Sequence, residues 1–175
     1  KRVKELEPAI RSICSELVDG FDRAGRVDFH NLFAVALPVR AVAVILEVPE
    51  TRQAEFKRWA DSSVAAIGRA ITDDERVAAE TDIVDQQQYF ASEIEDRREN
   101  PRDDFLTDLL NAELTPADGV EGGPLGMAEM LSIIRQIQVA GSETTASLLN
   151  DLMAQLAQHP DEWERLKADP SRAAL

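Results

Sequence analysis

The chain has 175 residues, 44% of them hydrophobic and 30% charged, and its formal net charge is -14. That length supports one domain with a real core, and few aromatics (5%) beside many aliphatic residues and alanines favour helices packed on helices. So acidic a chain is repelled by phosphate backbones and anionic bilayers, and its longest apolar stretch, Leu32 to Leu46, is broken by Pro38 and Arg40 and cannot span a membrane.

The helical period recurs along nearly the whole chain. Pro8 stands where a first helical turn tolerates it, and Ile10, Ile13, Cys14, Leu17 and Val18 follow as one apolar stripe. Gly20 and Gly25 bracket the exit, and Val27-Asp28-Phe29 is a connector. A second run, from about Asn31 to Leu46, is apolar nearly all round and is expected to be buried, with Pro38 kinking or interrupting it. Pro49-Glu50 opens a third helix that offers Phe56, Trp59, Val64 and Ile67 to a core.

Thr72-Asp73-Asp74-Glu75 has the pattern of a capping box. A long charged helix to about Arg98 should follow, with Arg97-Arg98 at its cation-favouring end and Asn100-Pro101 as its stop. Asp103 is the expected N-cap of a short helix through Glu113. Thr115 to Gly126 is rich in Gly and Pro and is expected to be a surface loop; Gly122-Gly123 lacks the spacing of a phosphate cradle. One helix, about 127–158, should cross the whole domain. Pro160 starts a last short helix with Trp163 and Leu166 inward.

The centre of that long helix breaks local rules. Aliphatic residues lead in and out, but Ala140, Gly141, Ser142, Glu143, Thr144 and Thr145 lie between them. A mid-helix glycine costs about 1 kcal/mol relative to alanine, and a threonine hydroxyl can bond the carbonyl four residues back and loosen the helix. Such a departure points to a site. It also suits a close helix crossing, with Glu143 and the hydroxyls in solvent, and periodicity alone does not separate the two.

Ala-Gly-x-Glu-Thr-Thr in mid-helix resembles the I-helix signature of the cytochrome P450 family. The neighbouring segments strengthen the resemblance. Val27-Asp28-Phe29 with Leu37-Pro38, Val48-Pro49-Glu50 and Phe56-x-x-Trp59 is similar to the D-to-F region of soluble bacterial members. Arg97-Arg98-x-x-Pro101-x-Asp103-Asp104 resembles their G-to-H junction, and His159 through Leu166 their J helix. All stand in the family's order. The resemblance implies an all-α, orthogonal helical fold, incomplete here and built around one long central helix, with residues 1–175 as one partial domain.

The resemblance also implies a haem-thiolate monooxygenase. A heme b iron, held by a cysteine thiolate, would bind O2 and split it with two electrons and two protons. It would insert one oxygen atom into a small organic substrate, with electrons from a ferredoxin- or flavodoxin-type donor. Thr144 and Glu143 are then the catalytic candidates: the hydroxyl delivers protons and the carboxyl feeds it from solvent. Ala140, Gly141 and Thr144 would border the cofactor. Gln136, Ile137 and Ala140, a turn or two earlier on the same face, would line the substrate pocket. An amide at Gln136 suits a polar substrate group, and equally a helix–helix contact. The connection at residues 68–72 would be the lid over the entrance.

The family's haem-ligand loop and the Glu-x-x-Arg motif of its later K helix are expected beyond Leu175, so the chain alone is expected to be inactive. It opens Lys1-Arg2-Val3-Lys4 without a methionine, and a processed or truncated product of a longer parent is expected. Cys14 cannot form an intrachain disulfide, lies on an amphipathic helix and reads as an inert packed thiol. His30 and His159 lack metal-ligand spacing; the first reads as surface and the second as part of a helix start. No protein metal site, nucleic-acid partner or membrane anchor is expected, and a cytoplasmic location is. The alternative is a haem-free helical interaction module derived from the same fold. An apolar face without its partners would make either form prone to homodimerise.

Overall fold

A computed structural model describes residues 2–22, 25–68, 70–116 and 122–171. Helices dominate: α1 (Arg2–Glu5), α2 (Glu7–Asp19), a π-helical turn (His30–Ala34), α3 (Ala36–Ile45), a 3-10 turn (Glu50–Arg52), α4 (Gln53–Gly68), α5 (Asp73–Glu99), α6 (Phe105–Leu110), α7 (Met127–Gln158) and α8 (Pro160–Ala168). The stretch Thr115 to Gly126, expected to be a loop, contains the short strand β2 (Gly123–Pro124), which pairs antiparallel with β1 (Glu113–Leu114); its residues 117–121 lie outside the described residues.

The apolar run expected from about Asn31 divides at Val35. The π turn precedes it, its end marked by the bond from Val35 N–H to His30 O (2.9 Å). Pro38 then falls in the first turn of α3, where its missing N–H would have little use. Asp28 starts the turn by accepting from the Asn31 amide N–H at 3.1 Å and from its side chain at 2.6 Å.

α7 is the axis. At 1.5 Å per residue its 32 residues run about 48 Å. Its inner row is Met130, Ile134, Gln138, Ser142 and Ala146, all buried. Against that row and its flanks pack α3, α4 and α5. Phe56 and Trp59 of α4 and Phe90 and Ile94 of α5 complete the core, each 1% exposed or less.

α4 and α5 are joined by more than packing. Arg58 reaches Asp82 (2.8 Å) and Asp85 (3.2 Å), Ser62 donates to Asp82 (2.7 Å), and the Trp59 indole donates to Asp85 (2.9 Å). The Arg52 guanidinium lies 4.5 Å from the centre of the Tyr89 ring. Desolvation pushes the Asp82 carboxyl up, but hydrogen bonds from Ser62 and Arg58, with the charge of Arg58, hold it below its ordinary value.

The capping box at the start of α5 is present: Glu75 N–H donates to Thr72 Oγ1 at 3.2 Å, and Thr72 N–H to Glu75 Oε2 at 2.8 Å. The other end corrects one expectation and adds to another. Arg97 stands in the last turn of α5, as expected, and is also buried. It is 2% exposed and bonds Asp104 (2.8 Å), Glu93 (2.6 Å) and Asp96 (3.2 Å). The cap of α6 is Asp104, not Asp103, because Thr107 N–H donates to Asp104 Oδ1 at 2.8 Å. One carboxylate thus caps α6 and neutralises a buried arginine.

Two apolar residues expected inside are outside. Ile67 is 68% exposed and Trp163 38%. α8 packs on α7 with no residue fully buried, so Trp163 lies over an apolar groove with Met153, Leu156, Ala157 and Pro160.

Candidate functional site

The six rule-breaking residues sit in unbroken helix at the centre of α7, and their faces separate sharply. Ser142 points inward with the buried row; its hydroxyl has no hydrogen-bond partner among the described residues. Ala140, Thr144, Leu148 and Leu152 recur every four residues on the opposite side, and all are exposed. Leu148 is 67% exposed and Leu152 49%. A leucine in water forgoes about 1.5–3 kcal/mol of burial, so this row is a surface built to be covered.

Thr144 Oγ1 donates to Ala140 O at 2.6 Å. The hydroxyl therefore closes back on the helix, one turn toward the N-terminus, and leaves its lone pairs to accept from outside. Glu143 is exposed beside it and makes no hydrogen bond or ion pair among the described residues.

The pocket candidates divide. Gln136 and Ala140 line a groove of about 500 Å³ together with Ser132, Arg135 and Val139 of α7 and Ile67 of α4. The Gln136 amide donates to Ser132 Oγ at 3.1 Å, so it is held along its own helix rather than in a helix–helix contact. Ile137 turns away from the groove and packs, half-buried, on the core. Gly141 turns the same way: a Cβ there would stand 3.0 Å from Val42 Cγ2 of α3. Its small size serves the α3–α7 crossing. The small-residue reading thus holds on the Gly141 side of the helix.

The buried amide of α7 is Gln138, which sequence reasoning missed. It is fully buried, accepts from Gln86 Nε2, and donates to Phe56 O at 3.2 Å. It ties α7 to α5 and α4 at one point. A polar residue in line with Met130, Ile134 and Ala146 was the available signal. Arg135, the groove's cation, was missed too.

Cys14 is half-buried on α2. The exposed His30 shares its Nδ1 with Asn150 Nδ2 at 2.9 Å, and His159 ends α7 and begins α8. Among the described residues no group of His, Cys, Asp and Glu side chains is arranged to hold a metal ion, and no helix is long and apolar enough to cross a membrane.

The fold is mainly helical and gathered on one long helix, with an acid and an alcohol side by side at its centre. The family model for cytochrome P450 matches residues 67–173, and the chain belongs to that family. Its relatives are bacterial. The cytochrome P450 monooxygenase PikC of Streptomyces venezuelae is 30% identical over 171 residues, covering 97% of this chain and 38% of that protein. The polyketide biosynthesis cytochrome P450 PksS of Bacillus subtilis is 28% identical over 174 residues, covering 99% and 40%. Among solved structures, ligand-free cytochrome P450 TbtJ1 superposes with a TM-score of 0.83 at 30% identity, covering 97% of this chain and 43% of that one. CYP109Q5 from Chondromyces apiculatus gives 0.80 at 35% identity, covering 97% and 39%. The chain thus spans about two-fifths of the length of these relatives.

The family implies a haem, and the exposed row tests the fit. Ala140, Thr144, Leu148 and Leu152 make a largely apolar strip with one hydroxyl, suited to border a flat apolar macrocycle. The same residues offer no axial ligand. The chain fits as one wall of a haem site.

Proposed function

We propose that this chain is the distal, oxygen-activating portion of a haem-thiolate monooxygenase that inserts one oxygen atom of O2 into an organic substrate. The observation that carries the reading is the exposed row of α7, with Thr144 Oγ1 turned onto Ala140 O in the middle of an uncovered apolar strip. Ala140, Thr144 and Leu148 would border a heme b. When bound, that group supplies dioxygen binding and O–O cleavage, its thiolate ligand pushing electron density toward the bond that breaks. The ligand would come from outside these residues, and the chain by itself is inactive in this reading. Residues 1–175 count here as one unit of the fold.

Each residue then has a task. Ala140 keeps the helix surface low, so that a small molecule can stand beside it. Thr144 holds a proton at Oγ1, where the bond to Ala140 O fixes the rotamer. Exchanging that bond for one to an outside acceptor is nearly free, since a neutral hydrogen bond is worth about 0.5–1.5 kcal/mol net. Glu143, exposed and unpaired, takes protons from solvent and passes them to the hydroxyl directly or through water. The groove beside Gln136 and Ala140 receives the substrate, and Ile67 brings the end of α4 to its rim; the connection at residues 68–72, whose residue 69 lies outside the described residues, would be the lid. A ferredoxin- or flavodoxin-type protein would supply electrons, and the location would be cytoplasmic.

The test is a carbon monoxide difference spectrum of this chain and of any longer protein that contains it. A thiolate-type band is expected from the longer protein and not from the chain. If the longer protein gives no such band, the monooxygenase reading fails. The haem-free interaction module would then be favoured, with a homodimer covering Leu148 and Leu152.

A further inference from the structure

The groove between α4 and α7 holds a cation, Arg135, with no counter-charge among the described residues. Most of the other described arginines find carboxylates: Arg40 with Glu16 at 2.6 Å, Arg58 with Asp82 at 2.8 Å, Arg97 with Asp104 at 2.8 Å, Arg165 with Glu162 at 2.5 Å. Acidic residues outnumber basic ones 33 to 19, so partners are plentiful. Arg135 is half-buried in the groove wall and makes no hydrogen bond or ion pair among the described residues.

Its neighbours are arranged to leave it available. Ser132 and Gln136 flank it on the helix and satisfy each other through the 3.1 Å bond, so neither occupies the guanidinium. Past Arg135 the wall turns apolar with Val139 and Ala140, and Ile67 faces them from α4. A guanidinium presents a planar fork of donors that matches a carboxylate. The groove's volume of about 500 Å³ falls in the range of small-molecule sites. Polar at one end and apolar toward Thr144, it has the gradient of an amphipathic ligand.

We propose that the groove takes an organic acid with an extended apolar body, its carboxylate on Arg135 and its chain along Val139, Ala140 and Ile67. This deepens the reading of the groove as a substrate site and rests on it. The carboxylate would set the register, so that the carbon presented near Ala140 lies a fixed distance from the acid group. Arg135 is a specificity-determining residue in this assignment: it binds the end of the ligand remote from Thr144.

The test is isothermal titration of this chain with decanoate, decan-1-ol and acetate. Decanoate should bind about 10- to 100-fold more tightly than decan-1-ol, the ratio expected of one hydrogen-bonded charge pair. Acetate, with no apolar body, should not bind measurably. Arg135→Gln should bring decanoate down to the alcohol's affinity and leave the alcohol's unchanged, with an unaltered circular dichroism spectrum. Arg135→Lys, which keeps the charge, should retain most of the preference. Equal binding of acid and alcohol by the unsubstituted chain, no binding of either, or a preference that survives Arg135→Gln would each overturn the proposal. These readouts need no haem, so a failure here is distinct from a failed carbon monoxide spectrum.

Discussion

Thr144 Oγ1 donates to the carbonyl of Ala140 across one turn of α7, at 2.6 Å. The relationship links two of the residues that face outward at the centre of the helix, and it means that the hydroxyl is parked rather than free. The Ala140 carbonyl already accepts the regular helical bond from the Thr144 amide, so the side-chain bond adds little to helix stability. It keeps a proton in a defined place on a surface that is otherwise apolar.

Thr144→Ala should therefore separate stability from function. Alanine is the better helix former by a few tenths of a kcal/mol, and the position is exposed, so the melting temperature should hold or rise slightly. In the haem-bearing protein, product formed per electron pair consumed should fall. A thermal melt and a product-to-reductant ratio check the two halves. Unchanged coupling would remove Thr144 from the proton path.

Gln138 makes a prediction of the opposite kind. Its amide is fully buried and serves Gln86 and the Phe56 carbonyl at once. Gln138→Leu would strand the buried Gln86 amide away from water, while the Phe56 carbonyl keeps its helical bond within α4. One orphaned buried group costs about 1–3 kcal/mol, and urea unfolding should show a loss of that size. Adding Gln86→Leu should recover part of it, because an apolar pair leaves no amide unpaired. A double variant weaker than the single one would show that the two amides do not act as a pair.

Much of this architecture was legible in the sequence, for reasons that differ by element. The Thr72–Glu75 capping box and the 127–158 helix follow from local chemistry: a hydroxyl three residues before a carboxylate, and 32 residues of helical period without a proline. The division of the α7 centre was not legible, because one turn of helix cannot say which of two neighbouring rows meets α3. Val42 decides that for Gly141, and it is 99 residues away in sequence. The burial of Arg97 was not legible for the same reason. A terminal arginine suits a helix dipole, and only the return of the chain through Asp104 turns it into a buried hub. Ile67 and Trp163 were read as core from their apolarity, although the surfaces that would cover them do not lie among the described residues.

The Gly141–Val42 contact can be tested through its sign. On an exposed helix Gly→Ala stabilises by about 1 kcal/mol. Here the new Cβ would press on Val42 Cγ2 at 3.0 Å, and overpacking a close crossing costs about 1–3 kcal/mol. Gly141→Ala should thus be neutral to destabilising alone. With Val42→Ala, which removes that methyl, it should become stabilising relative to Val42→Ala by itself. A double-mutant cycle read by denaturant midpoint checks the coupling; additive effects would place Gly141 elsewhere than against α3.

The Arg97 hub sets an acid limit. Burial pushes the Asp104 carboxyl up, but the Thr107 amide, the Arg97 guanidinium and the charge on Arg97 outweigh it and hold the group below its ordinary value. A depressed folded-state value favours the folded chain when the group is ionised. That stabilisation is complete above the unfolded value of about 3.9 and is lost as pH falls through the lower folded value. Unfolding free energy should therefore drop as the pH falls below roughly 4. In Asp104→Asn that part of the slope should vanish, while the cap of α6 survives because asparagine also accepts from the Thr107 amide. Arg97→Met should cost more, about 3–5 kcal/mol at neutral pH, because it leaves Asp104 and Glu93 without their cation. Stability measured against pH for the three proteins checks the assignment, and an Asp104→Asn profile parallel to that of the unsubstituted chain would show that another carboxylate sets the acid limit.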